Sequence, residues 1–459
     1  MRRTMMNFVT PAKRQSRARW MCAVLVLLML PWLSAAASVR LDVEAANPVL
    51  LSGGTRKTYV RVALTGLRGD TGRRAPVNAA IVLDRSGSMS GQKMAEAKRA
   101  AILALDRLRD EDIVSVVTYE STVDVLVPAT KLYDRRAIRR AIEGIEASGS
   151  TALFAGVSKG ARELRKFLDR NRVNTMLLLS DGLANVGPSS PGELAQLGTS
   201  LGREGITVTT IGLGLQYNED LMTRLALASD GNHFFAEEAE DLEAAFAREF
   251  GDALSAVAQG VSIHLRCPEG VRPLRVLGRE ASVQGQSVYA NLNQVFQNQT
   301  RYLLVEVEVA GGPAGVTRPL AEVTVDFREL GTRSDQQLRG STQASYSASA
   351  SAVEARQNRE VMVAVASQVA AERNKVATAL RDEGKIEQAR EAFRQNKVYL
   401  EKKAEELAAP ALKDEAKASS EAAASVEDEA QWNRARKKQM ESNVQVQTQR
   451  APMAVPKKK

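Results

Sequence analysis

Five oxygen-bearing side chains stand in three short motifs. Asp84, Ser86 and Ser88 alternate in Leu83-Asp84-Arg85-Ser86-Gly87-Ser88-Met89. Thr151 sits in Gly149-Ser150-Thr151-Ala152-Leu153, and Asp181 in Leu179-Ser180-Asp181-Gly182. A ligand set of hydroxyls and carboxylates, with no imidazole or thiolate, selects hard divalent cations such as Mg²⁺ or Mn²⁺ over zinc or copper. Each motif also has an ordinary alternative. Ser88 or Ser90 could cap the helix that follows, and Asp181-Gly182 could be a plain turn. Asp-x-Ser-x-Ser alone is a weak signal; three such pieces, each just past a strand or before a helix, are a strong one.

The elements that must position these residues are legible around them. Ala79-Ala80-Ile81-Val82-Leu83, Ile113-Val114-Ser115-Val116-Val117, Thr175-Met176-Leu177-Leu178-Leu179 and Ile206-Thr207-Val208-Thr209-Thr210-Ile211 are apolar or β-branched runs, most without polar alternation. Helical patterns over Gln92 to Leu108, from Asp134, over Leu153 to Leu168, Leu194 to Leu201, Asp220 to Ala228 and Leu242 to Phe250 intersperse with them. Such strands between helices make a parallel sheet buried on both faces. The expected fold class is therefore α/β, a doubly wound domain over residues 76–255. Ligands of such sheets bind beyond the carboxyl ends of the strands, at a topological switch point. Asp84 and Asp181 each follow one of these strands.

The three motifs in this order resemble those of the von Willebrand factor type A family, whose metal-ion-dependent adhesion site is Asp-x-Ser-x-Ser, then Thr, then Asp. The resemblance covers roughly residues 77–255, with every metal position present. It implies that Ser86 and Ser88 touch the metal directly, that Thr151 does so or nearly so, and that Asp84 and Asp181 act largely through waters. The implied cofactor is Mg²⁺, with Mn²⁺ or Ca²⁺ as alternatives. An inner shell of mostly neutral groups leaves the ion net positive, so its sixth ligand is expected to be an Asp or Glu carboxylate of a protein partner.

Alternating strands flank the α/β segment: Val39–Glu44 and Tyr59–Leu64 before it, then 261–265, 287–290, 302–309 and 322–327 after it. Residues 38–75 and 256–346 are read as one antiparallel β-sandwich into which the α/β domain is inserted. Ala-, Glu- and Lys-rich sequence over 350–410, broken at Asp382-Glu383-Gly384, predicts a helical hairpin. Residues 411–459, polar and rich in Ala and Gln, are expected to be disordered.

The formal charge is +9, but Arg2, Arg3, Lys13, Arg14, Arg17 and Arg19 all precede one apolar run, Trp20 to Leu33. Without them the balance falls from +9 to +3, which Lys457, Lys458 and Lys459 account for. The body is near neutral, which argues against nucleic acid as a partner. A basic stretch, a short apolar run and Ser34-Ala35-Ala36-Ala37 read as a secretory signal over residues 1–37. The alternative is an uncleaved N-terminal anchor, the only route to a membrane. Either way the rest of the chain is expected outside the cytoplasm: periplasmic, cell-surface or secreted. The two cysteines, Cys22 and Cys267, leave no disulfide framework once the signal is removed.

Catalytic readings fare poorly. Neither serine lies in a Gly-x-Ser-x-Gly elbow, and Gly212-Leu213-Gly214 lacks the third glycine of a dinucleotide loop. His233 and His264, the only imidazoles, sit inside strand-like runs. The expectation is a non-enzymatic, exported, metal-dependent protein-binding or adhesion module, resembling bacterial proteins described as similar to calcium-activated chloride channel or inter-alpha-trypsin inhibitor heavy-chain proteins. The alternative is an envelope assembly or scaffold protein, whose metal site is a conformational switch and whose C-terminal helices bind partners.

Overall fold

The computed structural model describes residues 38–67 and 74–449; the expected export segment over residues 1–37 lies outside them. The chain opens with β1 (Val39–Ala45), β2 (Val49–Leu51) and β3 (Arg56–Gly66). It then enters an α/β unit of β4 (Val77–Asp84), α1 (Gln92–Arg107), β5 (Ile113–Tyr119), β6 (Val123–Lys131), α2 (Arg135–Glu143), α3 (Leu153–Arg165), β7 (Val173–Ser180), α4 (Pro191–Arg203), β8 (Ile206–Leu213), α5 (Glu219–Ala228), β9 (His233–Ala236) and α6 (Asp241–Leu254).

These six strands form one sheet in the order β6-β5-β4-β7-β8-β9, parallel except for β6. Successive residues of β4 explain the layering. Val77, Ala79, Ile81 and Leu83 pack with residues of α1, α2 and α6. Ala80 and Val82 pack with residues of α3, α4 and α5 on the opposite face. Both faces of the sheet's centre are covered, which is why β4 and β7 read as near-continuous apolar runs, while β6 at the edge is partly exposed. From β4 the chain runs outward to β5 and β6, then returns to β7 on the other side of β4, so the switch point lies between β4 and β7.

After α6 come β10 (Ala256–Arg266), β11 (Val271–Leu277), β12 (Ser282–Gln284), β13 (Ser287–Phe296), β14 (Thr300–Val309), β15 (Thr317–Glu329) and β16 (Ser334–Ser347). With β1–β3 they build two sheets, ordered β1-β3-β14-β11 and β12-β13-β10-β15-β16-β2. Val60, Val62, Leu64, Ile263, Leu265, Val305, Val307, Val323 and Val325 fill the space between them. The α/β domain is thus an insertion between β3 and β10 of a β-sandwich. One detail departs from an all-antiparallel sandwich: β2 runs parallel to β16.

The C-terminal expectation needs correction. Beyond the short α7 (Ala350–Ala355) and the long pair α8 (Arg359–Asp382) and α9 (Ile386–Glu406), the chain continues as α10 (Pro410–Ser425) and α11 (Glu429–Thr448). Residues 410–448 are therefore mostly helical where disorder was expected, and the hairpin is part of a larger helical assembly. The reason is how these helices bury themselves. In α10, Leu412, Ala416, Ala422 and Ala423 supply small apolar contacts. Asn396, Asn374 and Ser419 tie α9, α8 and α10 together through buried hydrogen bonds. In α11 the buried side chains include Lys437, Gln439, Asn443 and Gln445, so its composition looks solvated although its face is covered. No described helix is long and apolar enough to cross a membrane.

Candidate metal centre

β4 delivers Asp84 to the switch point fully buried, and the chain turns through Ser86 and one 3₁₀ turn, Gly87–Met89, before α1 begins. Asp84 organises that turn. Its Oδ1 accepts the Ser86 backbone N–H at 2.8 Å, and its Oδ2 accepts the Ser180 hydroxyl at 2.9 Å. The second bond joins the ends of β4 and β7. Beneath it, the buried Tyr119 hydroxyl donates to the Leu179 carbonyl at 2.8 Å.

Asp181 follows β7 and is also fully buried. Ser88 Oγ donates to its Oδ1 at 2.7 Å and lies 3.1 Å from Ser86 Oγ. Lys93 Nζ donates to Oδ2 of Asp181 at 2.5 Å. Thr151 is held by its backbone: its N–H donates to Asn185 Oδ1 at 2.8 Å, and its carbonyl accepts the N–H groups of Asn185 and Val186. A side-chain carbon added to Gly182 would meet Thr151 Oγ1 at 3.4 Å and Ser88 Oγ at 3.5 Å, which locates both hydroxyls beside this glycine. All five predicted residues therefore gather at one rim. Ser88 is exposed there, while Asp84, Ser86, Thr151 and Asp181 are buried.

The threonine loop is fastened to the serine loop by main-chain bonds. Gly87 N–H donates to the Gly149 carbonyl at 3.0 Å, and Ser148 N–H to the Arg85 carbonyl at 2.7 Å. Gly149 adopts φ +74°, and a side chain there would run into the Glu120 carboxylate, so both backbone and space demand glycine. Hydrogen bonds from Thr122 and Ser121 hold the Glu120 carboxyl down at about 2.

Burial pushes the Asp84 carboxyl up to about 6; its hydrogen bonds to Ser86 and Ser180 oppose this, and the nearby Asp181 adds to it. Two buried carboxylates served by one ammonium leave an excess of negative charge, and the surrounding donors are oxygens. That combination fits a small hard cation. Among the described residues no group of three or more His, Cys, Asp and Glu side chains converges as a metal cluster, so the fit rests on hydroxyls. Ser180, Lys93 and Asn185 belong to the site and escaped sequence reasoning. Lys93 left a signal, being a cation at the positive end of α1 with no acid in that first turn.

The imidazoles are structural. His233 is buried between Thr210 Oγ1 at 2.9 Å and the Tyr217 hydroxyl at 3.1 Å, and burial presses it down to about 3. His264 stacks on Tyr289, with ring centroids 4.6 Å apart.

Fold and rim together define a doubly wound α/β domain carried on a β-sandwich, with an oxygen-lined rim at its switch point. Residues 78–248 match the family model of the von Willebrand factor type A domain. The chain is 32% identical over 183 residues to the uncharacterized protein sll0103 of Synechocystis sp., covering 40% of this chain and 43% of that one. It is 29% identical over 171 residues to inter-alpha-trypsin inhibitor heavy chain H3 of Homo sapiens, covering 35% of this chain and 19% of that one. It thus spans less than half the length of these curated relatives. The solved von Willebrand factor type A structure from Catenulispora acidiphila matches with a TM-score of 0.69 at 18% identity, over 84% of this chain and 91% of that one. This likeness is one of fold, and it extends well beyond the matched domain. Residues 78–248 thus carry a von Willebrand factor type A domain. Such domains commonly mediate protein interactions and adhesion and often bind a divalent metal.

Proposed function

We propose that this chain is an extracytoplasmic binding module that engages a carboxylate of a protein partner through a divalent cation, Mg²⁺ in the first instance. The observation that carries the reading is the convergence of Ser86, Ser88 and Thr151 with two buried carboxylates at the switch point, open to solvent at Ser88. Ser86, Ser88 and Thr151 would hold the ion, with Asp84 and Asp181 fixing the serines and supplying charge. When bound, the cation supplies electrostatic attraction for an anionic side chain. Leu183, an exposed apolar residue two positions after Asp181, offers the partner a contact beside it. The export reading of residues 1–37 supplies the compartment.

Asp84→Ala is expected to abolish cation-dependent binding, because it removes both the charge and the brace between β4 and β7. A pull-down from envelope extract with and without EDTA, using wild type and this variant, checks it. Capture that persists through both the substitution and chelation would sink the reading.

A pH dependence follows from Asp84. Its folded-state value, about 6, lies above its ordinary 3.8. Between those values the folded protein keeps a proton that the unfolded chain has released, so in EDTA this group's contribution to stability falls as pH rises through that window. A cation must displace the same proton. The rise in melting temperature produced by millimolar Mg²⁺ is therefore expected to be full at about pH 8 and largely lost at about pH 5. Thermal unfolding at both pH values measures it; an Mg²⁺ effect equal at the two would contradict the assignment of Asp84.

The scaffold alternative draws on one observation: Val376 on α8 and Val398 on α9 are large, exposed apolar side chains. Val398→Asp separates the two readings. The adhesion reading expects EDTA-sensitive capture to survive it, and the scaffold reading expects capture to be lost.

A further inference from the structure

We propose that Lys93 is a fixed cation of this centre, one that weakens metal binding and strengthens the pull of the loaded site on a partner's carboxylate. The inference rests on the metal-site reading above and concerns which charges share Asp181.

Lys93 is the second residue of α1. A lysine there opposes the helix macrodipole, whose positive end favours acids. Nothing local relieves it: the N-cap is Gly91, without a capping side chain, and the first turn holds no acid. A side chain in that position ordinarily extends into water. Its neighbour Gln92 does reach outward, to Glu240 at 2.7 Å. Lys93 instead lies across the rim with Nζ 2.5 Å from Asp181 Oδ2, about one-third exposed at 34% against a carboxylate that is fully buried. The other oxygen of that carboxylate accepts Ser88 Oγ at 2.7 Å. Asp181 thus divides its two oxygens between a site hydroxyl and an ammonium.

The charge balance gives the consequence. Asp84 and Asp181 with a divalent ion sum to zero, and a neutral centre has little electrostatic preference for an anion. With the Lys93 ammonium included, the loaded centre carries one net positive charge. That charge repels the metal and attracts the partner's carboxylate, so removing it must move the two affinities in opposite directions. Partly exposed ion pairs of this kind shift equilibria by about twofold to fivefold, and the effect fades as salt screens it.

The test uses the full chain as wild type, Lys93→Met, Lys93→Arg and Ser88→Ala. Mn²⁺ alone is titrated by electron paramagnetic resonance, then acetate is titrated into the Mn²⁺-loaded protein. Lys93→Met is expected to tighten Mn²⁺ by about twofold to fivefold and to weaken acetate by a similar factor. Lys93→Arg should stay near wild type in both, and Ser88→Ala should lose Mn²⁺ binding. Matched near-ultraviolet circular dichroism spectra establish equal folding. Mn²⁺ affinity unchanged or weakened in Lys93→Met, or both affinities moving together, overturns the role of Lys93 while leaving the metal centre standing. A wild type that takes up no Mn²⁺, or a Ser88→Ala that binds it normally, overturns the centre and this proposal with it.

Discussion

Asp230→Ala is expected to destabilise the protein by about 3–5 kcal/mol, the cost of leaving buried charge without its counter-ion. Asp230 lies in the turn between α5 and β9, at the face where the inserted domain meets the sandwich. Its Oδ1 accepts Arg301 at 2.7 Å, and its Oδ2 accepts Arg301 at 2.9 Å and the Asn293 backbone N–H at 2.7 Å. Arg279 adds a longer contact at 3.4 Å. The Arg301 side chain, from β14, is completely buried and that of Arg279 nearly so. Burial alone would raise the Asp230 carboxyl, but the two guanidinium groups win and hold it below the usual carboxylate range. Its stabilising contribution is therefore full at neutral pH and lost only in acid, below the ordinary carboxylate range. Asp230 also has φ +56°, which Asn tolerates and Ala resists. Asp230→Asn keeps the turn and removes the charge, so it isolates the electrostatic part and should retain most of the loss. Chemical denaturation followed by far-ultraviolet circular dichroism measures the drop in midpoint. Arg301→Met combined with Asp230→Ala should recover part of it, since one of the stranded charges is gone. A loss below about 1 kcal/mol in Asp230→Ala would show that the arginines find other partners.

The sequence was most readable where each residue answered a single demand. Strands β4 and β7 are buried on both faces, so their apolar runs could come only from a covered parallel sheet or a buried helix, and their length decides for the sheet. Asp84 and Asp181 were legible because strand ends at a switch point are where such sheets place ligands. The insertion was legible from alternation stopping before Val77 and returning after Ala256. Reading failed where burial was satisfied by polar contacts or by distant pairing. β16 carries Ser334, Asp335, Gln336 and Gln337 and keeps its strand chiefly by pairing with β15 along nearly its whole length. β2 is three residues long and exists through β16, remote in sequence. α11 hides lysine, glutamine and asparagine against partners that composition does not reveal. At the site, Ser180 and Lys93 were missed for a related cause: each acts through an acid that only the fold brings beside it.

That same polar burial on α11 sets the second large effect. Glu219→Ala is expected to cost about 3–5 kcal/mol and to loosen α11 from the α/β domain. Glu219 opens α5, just past the end of β8, at the strand-end side of the sheet that also carries Asp84 and Asp181. Its carboxylate accepts Lys437 Nζ at 2.6 Å and pairs with Arg436. The Lys437 side chain is almost wholly buried; its ammonium also donates to the Tyr217 carbonyl at 3.1 Å and sits 4.3 Å from the centre of the Tyr217 ring. Burial already presses the Lys437 amine down, and Glu219 is the chief group keeping it charged. Arg436 retains Asp220 and Asp382, both at 2.8 Å, when Glu219 is gone. Among the described residues Glu219 is the one acid in an ion pair with Lys437, with Asp220 acting only at longer range, so the penalty falls on Lys437 and is relieved by moving the helix outward. Hydrogen exchange read by mass spectrometry should then show protection lost over α11 and β9, with β4 and β7 unchanged. Lys437→Met added to Glu219→Ala replaces the stranded ammonium with an apolar side chain of similar reach, and is expected to restore much of the protection. If α11 exchanges no faster in Glu219→Ala, the buried pair is not what holds it, and packing on the neighbouring helices, Trp432 against Phe393 included, keeps it in place instead.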